Sequence, residues 1–160
     1  ISEEAVARYC ARSFDLPVVI GRMGAAYGVR GGLPIGVTDS VAAGRAARTR
    51  WDPCPYSLIH DDDIQAQVEP LLDAASVPAT IVNWCGDEPV SVQEMAAFAG
   101  EVAGVEARVE VTPIELASRG SVGDCTKRIS ITGPCTVNWR DGLRRTMATR
   151  QPDRLAGAAN

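Results

Sequence analysis

The chain has 160 residues, enough for one compact domain, and its 46% hydrophobic and 22% charged residues are ordinary for a globular fold. A net charge of −4 argues against a general attraction to nucleic acid or anionic membrane, and no apolar run approaches the roughly 20 residues that span a bilayer. Five cysteines, an odd number with no C-x-x-C pair, suggest neither a disulfide framework nor a zinc ribbon. Packed as small apolar residues they fit a reducing cytoplasm, and no metal site is expected.

Ile1, Ala5, Val6, Tyr9, Cys10 and Ser13 recur at helical spacing, with Glu3, Glu4, Arg8 and Arg12 mostly off that face. The chain therefore opens on an amphipathic helix, and with Ile rather than Met at its head it reads as the continuation of a longer protein. Pro17 breaks the pattern, and Val18–Ile20 is the short apolar run of a strand buried on both faces of a parallel sheet. A glycine-rich loop from Gly21 to Gly36 delivers the chain to a helix near Thr38–Ala47.

Trp51–Pro55 is a stiff turn, and Tyr56–Ile59 a short strand. His60 and Asp61–Asp63 then stand before a helix with Ile64, Val68, Leu71 and Leu72 on one face, interrupted by Pro70. Thr80–Asn83 is another buried strand. Ser91 and Glu94 have capping-box spacing for a helix carrying Met95, Phe98 and Val102. Ala107–Val111 alternates as a half-exposed strand, Ser118–Asp124 is a loop, and a helix runs from about Asn138 to Thr149. The result is α/β, and no strand is followed by G-x-G-x-x-G, so no dinucleotide phosphate site can be assigned here.

Several segments in this order resemble the extended short-chain dehydrogenase/reductase family, the NAD-dependent epimerase/dehydratase type. Leu16–Gly28, with Arg22, Met23, Gly24, Tyr27 and Gly28, is similar to its strand followed by Arg-x-x-Asn-x-Tyr-Gly. Leu58–Ile64 resembles its aromatic-x-His-Val-x-Asp segment. Val82–Gly86 with Pro89, Ser91 and Glu94 resembles Tyr-Asn-x-Gly … Pro-x-Ser-x-x-Glu, and Asp141-Gly142-Leu143 its final Glu-Gly-Leu. Glu4 takes the place of a Glu that follows the family's Tyr-x-x-x-Lys pair, which puts the catalytic Tyr and Lys upstream of Ile1.

The resemblance implies the C-terminal part of a Rossmann-type parallel sheet plus a small α/β substrate-binding lobe. Residues 1–31 would finish the dinucleotide-binding domain. Residues 32–150 would be mainly the lobe, with 57–83 partly returning to the sheet, and 151–160 a flexible tail. It implies NAD or NADP, bound mainly by an N-terminal half, with Arg22, Met23, Gly24 and Ala25 beside the cofactor. Ala26, Tyr27, Arg30 and Tyr56 would line the pocket of a small-molecule substrate. It also implies a homodimer through the first helix, around Glu3–Phe14, and no hydride transfer by this half alone.

Two departures bear on the substrate. Ala25 stands where many sugar-nucleotide members have Asn, and Tyr56-Ser57 where they have Arg-Asp. A Tyr cannot replace the bidentate phosphate recognition of an Arg, and Arg30 or Arg119 would have to substitute. These changes favour a smaller or less charged substrate, or a non-catalytic NAD(P)-binding or partner-binding relative of the same fold. A self-contained binding domain is a third reading, against which the strands at 18–20 and 81–83 would leave open edges.

Simpler roles stand beside the functional ones. His60 reads as a structural residue at a helix cap, and Asp61–Asp63 as capping groups rather than metal ligands. Arg22 is divided equally between a ligand and a carboxylate partner. Cys125 and Cys135 read as inert, the tryptophans as packing residues, and Arg140, Arg144 and Arg145 as a solvated helix face.

Overall fold

The computed structural model describes residues 2–152. Among the described residues six helices and seven short strands follow one another, and the observed class is α/β with mostly parallel pairings. The expected tail from 151 lies almost wholly outside the described residues.

Helix α1 (Ser2–Ser13) leads into strand β1 (Val19–Met23), as expected. β1 lies parallel to β5 (Thr80–Trp84), with Ile20 opposite Ile81 and Met23 opposite Trp84. The expected burial of β1 on both faces is not observed: Val19 and Ile20 are half-buried and Gly21–Met23 exposed. The reason is pairing, because among the described residues β1 is bonded only to β5 and its other edge has no strand.

Strand β2 (Ala25–Tyr27) continues almost directly from β1 but joins a different sheet. It is parallel to β4 (Pro55–His60), which in turn pairs antiparallel with β6 (Pro89–Ser91). β6 is not expected from the sequence, in which Ser91 is assigned only to the cap of the following helix. A third, two-stranded sheet joins β3 (Ala47–Thr49) to β7 (Val109–Val111) in parallel.

Helix α2 spans Leu33–Ala42, five residues earlier than expected. Pro34 in its first turn suits a position whose amide needs no intrahelical partner, so the helix begins at the edge of the glycine-rich loop. Helix α3 (Asp61–Asp73) runs unbroken through Pro70, which sits in its last turn. Helix α4 (Val92–Ala103) has the capping box that Ser91 and Glu94 announce: Ser91 Oγ accepts from the Glu94 amide at 3.1 Å and the Glu94 carboxylate accepts from the Ser91 amide at 2.7 Å. It closes on Gly104 in the left-handed conformation. Helix α5 (Thr126–Thr132) was not expected, whereas α6 (Trp139–Arg150), capped by Asn138, was.

The main core lies among α2, α4 and α6 and one face of β2, β4 and β6. Tyr27, Ile35, Val41, Leu58, Met95 and Leu143 are among its buried members. At 25–30 cal/mol per Å² of apolar surface, each such side chain contributes about 1.5–3 kcal/mol on burial. α5 instead packs beside β5, and α3 packs against α5 and β4. A buried carboxylate joins these parts: Asp63, 1% exposed, accepts from the Thr136 amide and hydroxyl at 2.7 and 2.8 Å and from the Val137 amide at 3.1 Å.

Candidate functional site

The junction between β1 and β2 places Met23 and Gly24 at the C-terminal ends of the parallel pair β1–β5. The Gly24 amide donates to the Trp84 carbonyl at 2.9 Å. A Cβ on Gly24 would meet the Cys85 side chain and approach the Ser57 carbonyl oxygen to 2.9 Å, so only glycine lets the two backbones come this close.

The opposite wall is the loop before α5. The Ser57 amide donates to the Ser121 carbonyl at 3.0 Å, the Gly123 amide reaches Ser57 Oγ at 3.4 Å, and Asn83 Nδ2 donates to the Asp124 carbonyl at 3.0 Å. Asp124 then holds the start of α5, accepting from the Thr126 amide at 2.9 Å and its hydroxyl at 2.7 Å, contacts that lower its carboxyl pKa. The cleft between these walls measures about 190 Å³ and is lined by Arg22, Met23, Gly24, Asn83, Cys85 and residues 121–124.

Three of the four expected cofactor-side residues, Arg22, Met23 and Gly24, therefore meet in one cleft. Arg22 is also committed elsewhere: its guanidinium forks onto the Glu4 carboxylate at 2.8 and 2.9 Å, and this contact holds the Glu4 pKa below its ordinary value. The fourth, Ala25, is half-buried and packs against the main core.

The expected substrate-side residues divide between two other clefts. Ala26, Tyr27 and Arg30 line one of about 590 Å³, with Gly31, Gly32, Asp61, Ile64 and Gln65. Tyr27 is only 2% exposed, so its ring belongs to the core: it meets His60 edge-on at 5.1 Å, and its hydroxyl lies where a Cβ on Gly142 would be. That hydroxyl has no hydrogen-bond partner among the described residues, and burial raises its pKa far above the ordinary tyrosine value. Tyr56 lines a third cleft of about 330 Å³ with Leu33, Arg48, Thr49, Arg50 and Ser118. Its hydroxyl takes a contact from Cys54 Sγ at 3.7 Å, and burial raises its pKa.

Arg119, the suggested substitute cation, stacks over the Trp51 ring at 4.5 Å, and Trp51 Nε1 donates to the Ala117 carbonyl at 3.2 Å. His60 caps α3, its Nδ1 accepting from the Asp62 amide at 3.1 Å. The three aspartates diverge: Asp61 turns toward Gly28, Asp62 pairs with Arg145 at 3.3 Å, and Asp63 binds residues 136–137. Among the described residues no group of three or more His, Cys, Asp or Glu side chains is placed to hold a metal ion, and no helix is long and apolar enough to cross a membrane.

Asn83, Cys85, Ser121 and Asp124 were not expected at the site. Asn83 and Cys85 belong to a segment whose resemblance was noted, so that segment was the available signal. Ser121 and Asp124 sit in a loop whose course depends on contacts with β4 and β5.

Solved structures share this fold. An NAD-bound UDP-glucuronic acid 4-epimerase from Bacillus cereus superposes with a TM-score of 0.78 at 17% identity, over 93% of this chain and 50% of its own. A Thermus thermophilus UDP-glucose 4-epimerase complexed with NAD gives 0.77 at 21%, over 97% and 51%. The chain has their fold. A dTDP-glucose 4,6-dehydratase from Streptomyces venezuelae with NAD bound gives 0.76 at 21%, over 94% and 48%. This chain thus spans about half the length of these enzymes. No family model matches it, and neither does any curated protein.

Proposed function

We propose that this chain is the C-terminal half of an NAD(P)-dependent epimerase, dehydratase or reductase, and that it supplies one wall of the nicotinamide site and most of the substrate lobe. The observation that carries this reading is the junction at Met23–Gly24. It lies at the C-terminal ends of two parallel strands, beside a cleft, on a sheet whose outer edge has no strand among the described residues. Ligands of open α/β sheets bind outside those strand ends.

NAD or NADP would rest mainly on an N-terminal half, and the residues here fit its reactive end. Gly24 and Gly123 pack on Cys85 with no space for a side chain, a Cβ on Gly123 coming within 2.7 Å of Cys85 Sγ, so bare backbone forms this wall of the cleft. The nicotinamide group supplies the hydride chemistry when bound. The backbone of Met23 and Gly24 would border it, the 121–124 loop would exclude water from one side, and the Asn83 amide, donating to the Asp124 carbonyl, holds that loop in place. The acid/base Tyr and its Lys lie upstream, so the chain alone is inactive.

The substrate occupies the lobe beside Tyr56, where Arg48 and Arg50 are the nearby cations and a hydroxyl replaces the fork of an arginine. That combination favours a small or weakly charged carbonyl or hydroxyl compound, sugar-like in its polarity. The capture of Tyr56 by Cys54 also supports a second reading, a relative that binds NAD(P) or a partner without turnover. A homodimer through α1 and a cytoplasmic location complete the proposal.

The test is to assay the longest natural product containing this chain, and the 160-residue chain by itself, for bound nicotinamide nucleotide and for turnover of sugar nucleotides and simpler sugars. The expected result is cofactor and activity in the first and neither in the second. Cofactor without turnover on any of these substrates selects the second reading. A longer product without nicotinamide binding sinks both.

A further inference from the structure

Cys85 follows the last residue of β5 and Cys125 precedes the first of α5, 40 positions later. Their Sγ atoms are 3.0 Å apart, closer than two non-bonded sulfurs ordinarily rest, and both side chains are buried. Cys125 Sγ is ringed by the carbonyls of Cys85, Gly86 and Gly123 at 3.3–3.5 Å. Cys54 and Cys135 lie instead beside the polar side chains of Tyr56 and Gln67. Of the pair, Cys85 lines the 190 Å³ cleft while being only 2% exposed, so a reagent as small as hydrogen peroxide has to reach it through that cleft.

We propose that Cys85 and Cys125 are a redox-active dithiol, closed to an intramolecular disulfide by a hydroperoxide and reopened by a thiol reductant. Cys85 sulfur attacks the O–O bond of hydrogen peroxide, loses its proton and becomes a sulfenic acid while one water leaves. Cys125 sulfur then attacks the Cys85 sulfur, the S–O bond breaks, and a second water departs with the Cys125 proton. One peroxide is reduced to two waters and two thiols are oxidised to one disulfide. Two reductant thiols reverse the closure by exchange, leaving as their own disulfide.

An S–S bond is about 2.0 Å long, so the sulfurs must close by about 1 Å. That movement draws the start of α5 toward the end of β5. Both glycines of the cleft wall, Gly24 and Gly123, press on Cys85, so the shift is transmitted to the cleft. Burial pushes the Cys85 thiol up to about 12, which slows its oxidation at neutral pH without changing its partner.

The test is a peptide map of the folded wild-type chain after treatment with hydrogen peroxide, with free thiols alkylated before digestion. The expected product is a peptide pair linked through Cys85 and Cys125, lost on reduction and retained in Cys54→Ser. In Cys125→Ser, dimedone should label Cys85. Full alkylation of all five cysteines after peroxide, or linkage through any other pair, would overturn the proposal. The wild-type map decides even where a variant fails to fold.

Discussion

Arg128 is fully buried, and its guanidinium ties α5 to the turn after β5. It donates to the Cys85 carbonyl at 3.1 Å and to the Gly133 carbonyl at 2.8 Å, and pairs with Asp87. Arg128→Ala removes these buried hydrogen bonds, while Asp87, which is exposed, keeps the Cys135 amide at 2.8 Å, so the change should cost about 1–3 kcal/mol in denaturant unfolding; a loss below about 0.5 kcal/mol would contradict the observed network. Gly24→Val should cost about 1–3 kcal/mol by forcing β1 away from Cys85 and the Ser57 carbonyl, read as a lowered urea midpoint. Glycine at position 24 was legible because a strand end followed by glycine signals close approach. The burial of Tyr27 was not, since its direction is set by the pairing of β2 with β4, which no local pattern encodes.

Helix α4 was readable at both level and position, because its cap is local chemistry. Ser91→Ala should cost about 1 kcal/mol. The Glu94 carboxyl is held below its ordinary value of 4.5, chiefly by the Ser91 amide and then by the Ser91 hydroxyl. A depressed folded pKa gives stability that is present above the unfolded value and is lost as the pH falls through the folded one. Glu94→Gln should therefore flatten the stability profile on the acid side of about pH 4.5 and leave its slope near neutrality unchanged; an unchanged acid limb would contradict the box. α2 began early because Pro34 belongs to a first turn, which a glycine-rich context disguised. β3 and β7 are three residues each, and they exist only through pairing across 62 positions, where Arg48 meets Glu110. α5 depends on Asp124 at its start and Arg128 at its centre, neither of which stands out against an amphipathic pattern.

At the scale of the molecule, the α/β class and most helix and strand positions followed from periodicity, while the division into three small sheets did not. The edge of β1 that has no strand among the described residues and the outer face of α1 are the features that ask for a partner. Val6 and Tyr9 are 61% and 66% exposed, and Phe14 70%, because α1 packs inward through Ala7, Cys10 and Ala11 instead of through its most apolar side. Light scattering should show concentration-dependent association that Val6→Glu with Tyr9→Glu abolishes while circular dichroism stays native. A monomer at all concentrations would contradict the proposed interface. The central proposal, that this chain completes a nicotinamide-dependent enzyme, is tested most directly by sequencing the transcript upstream of Ile1. A Lys immediately before Ile1 with a Tyr four residues earlier, preceded by a strand and G-x-G-x-x-G, is the predicted result; other residues at those two positions would contradict hydride chemistry in this protein.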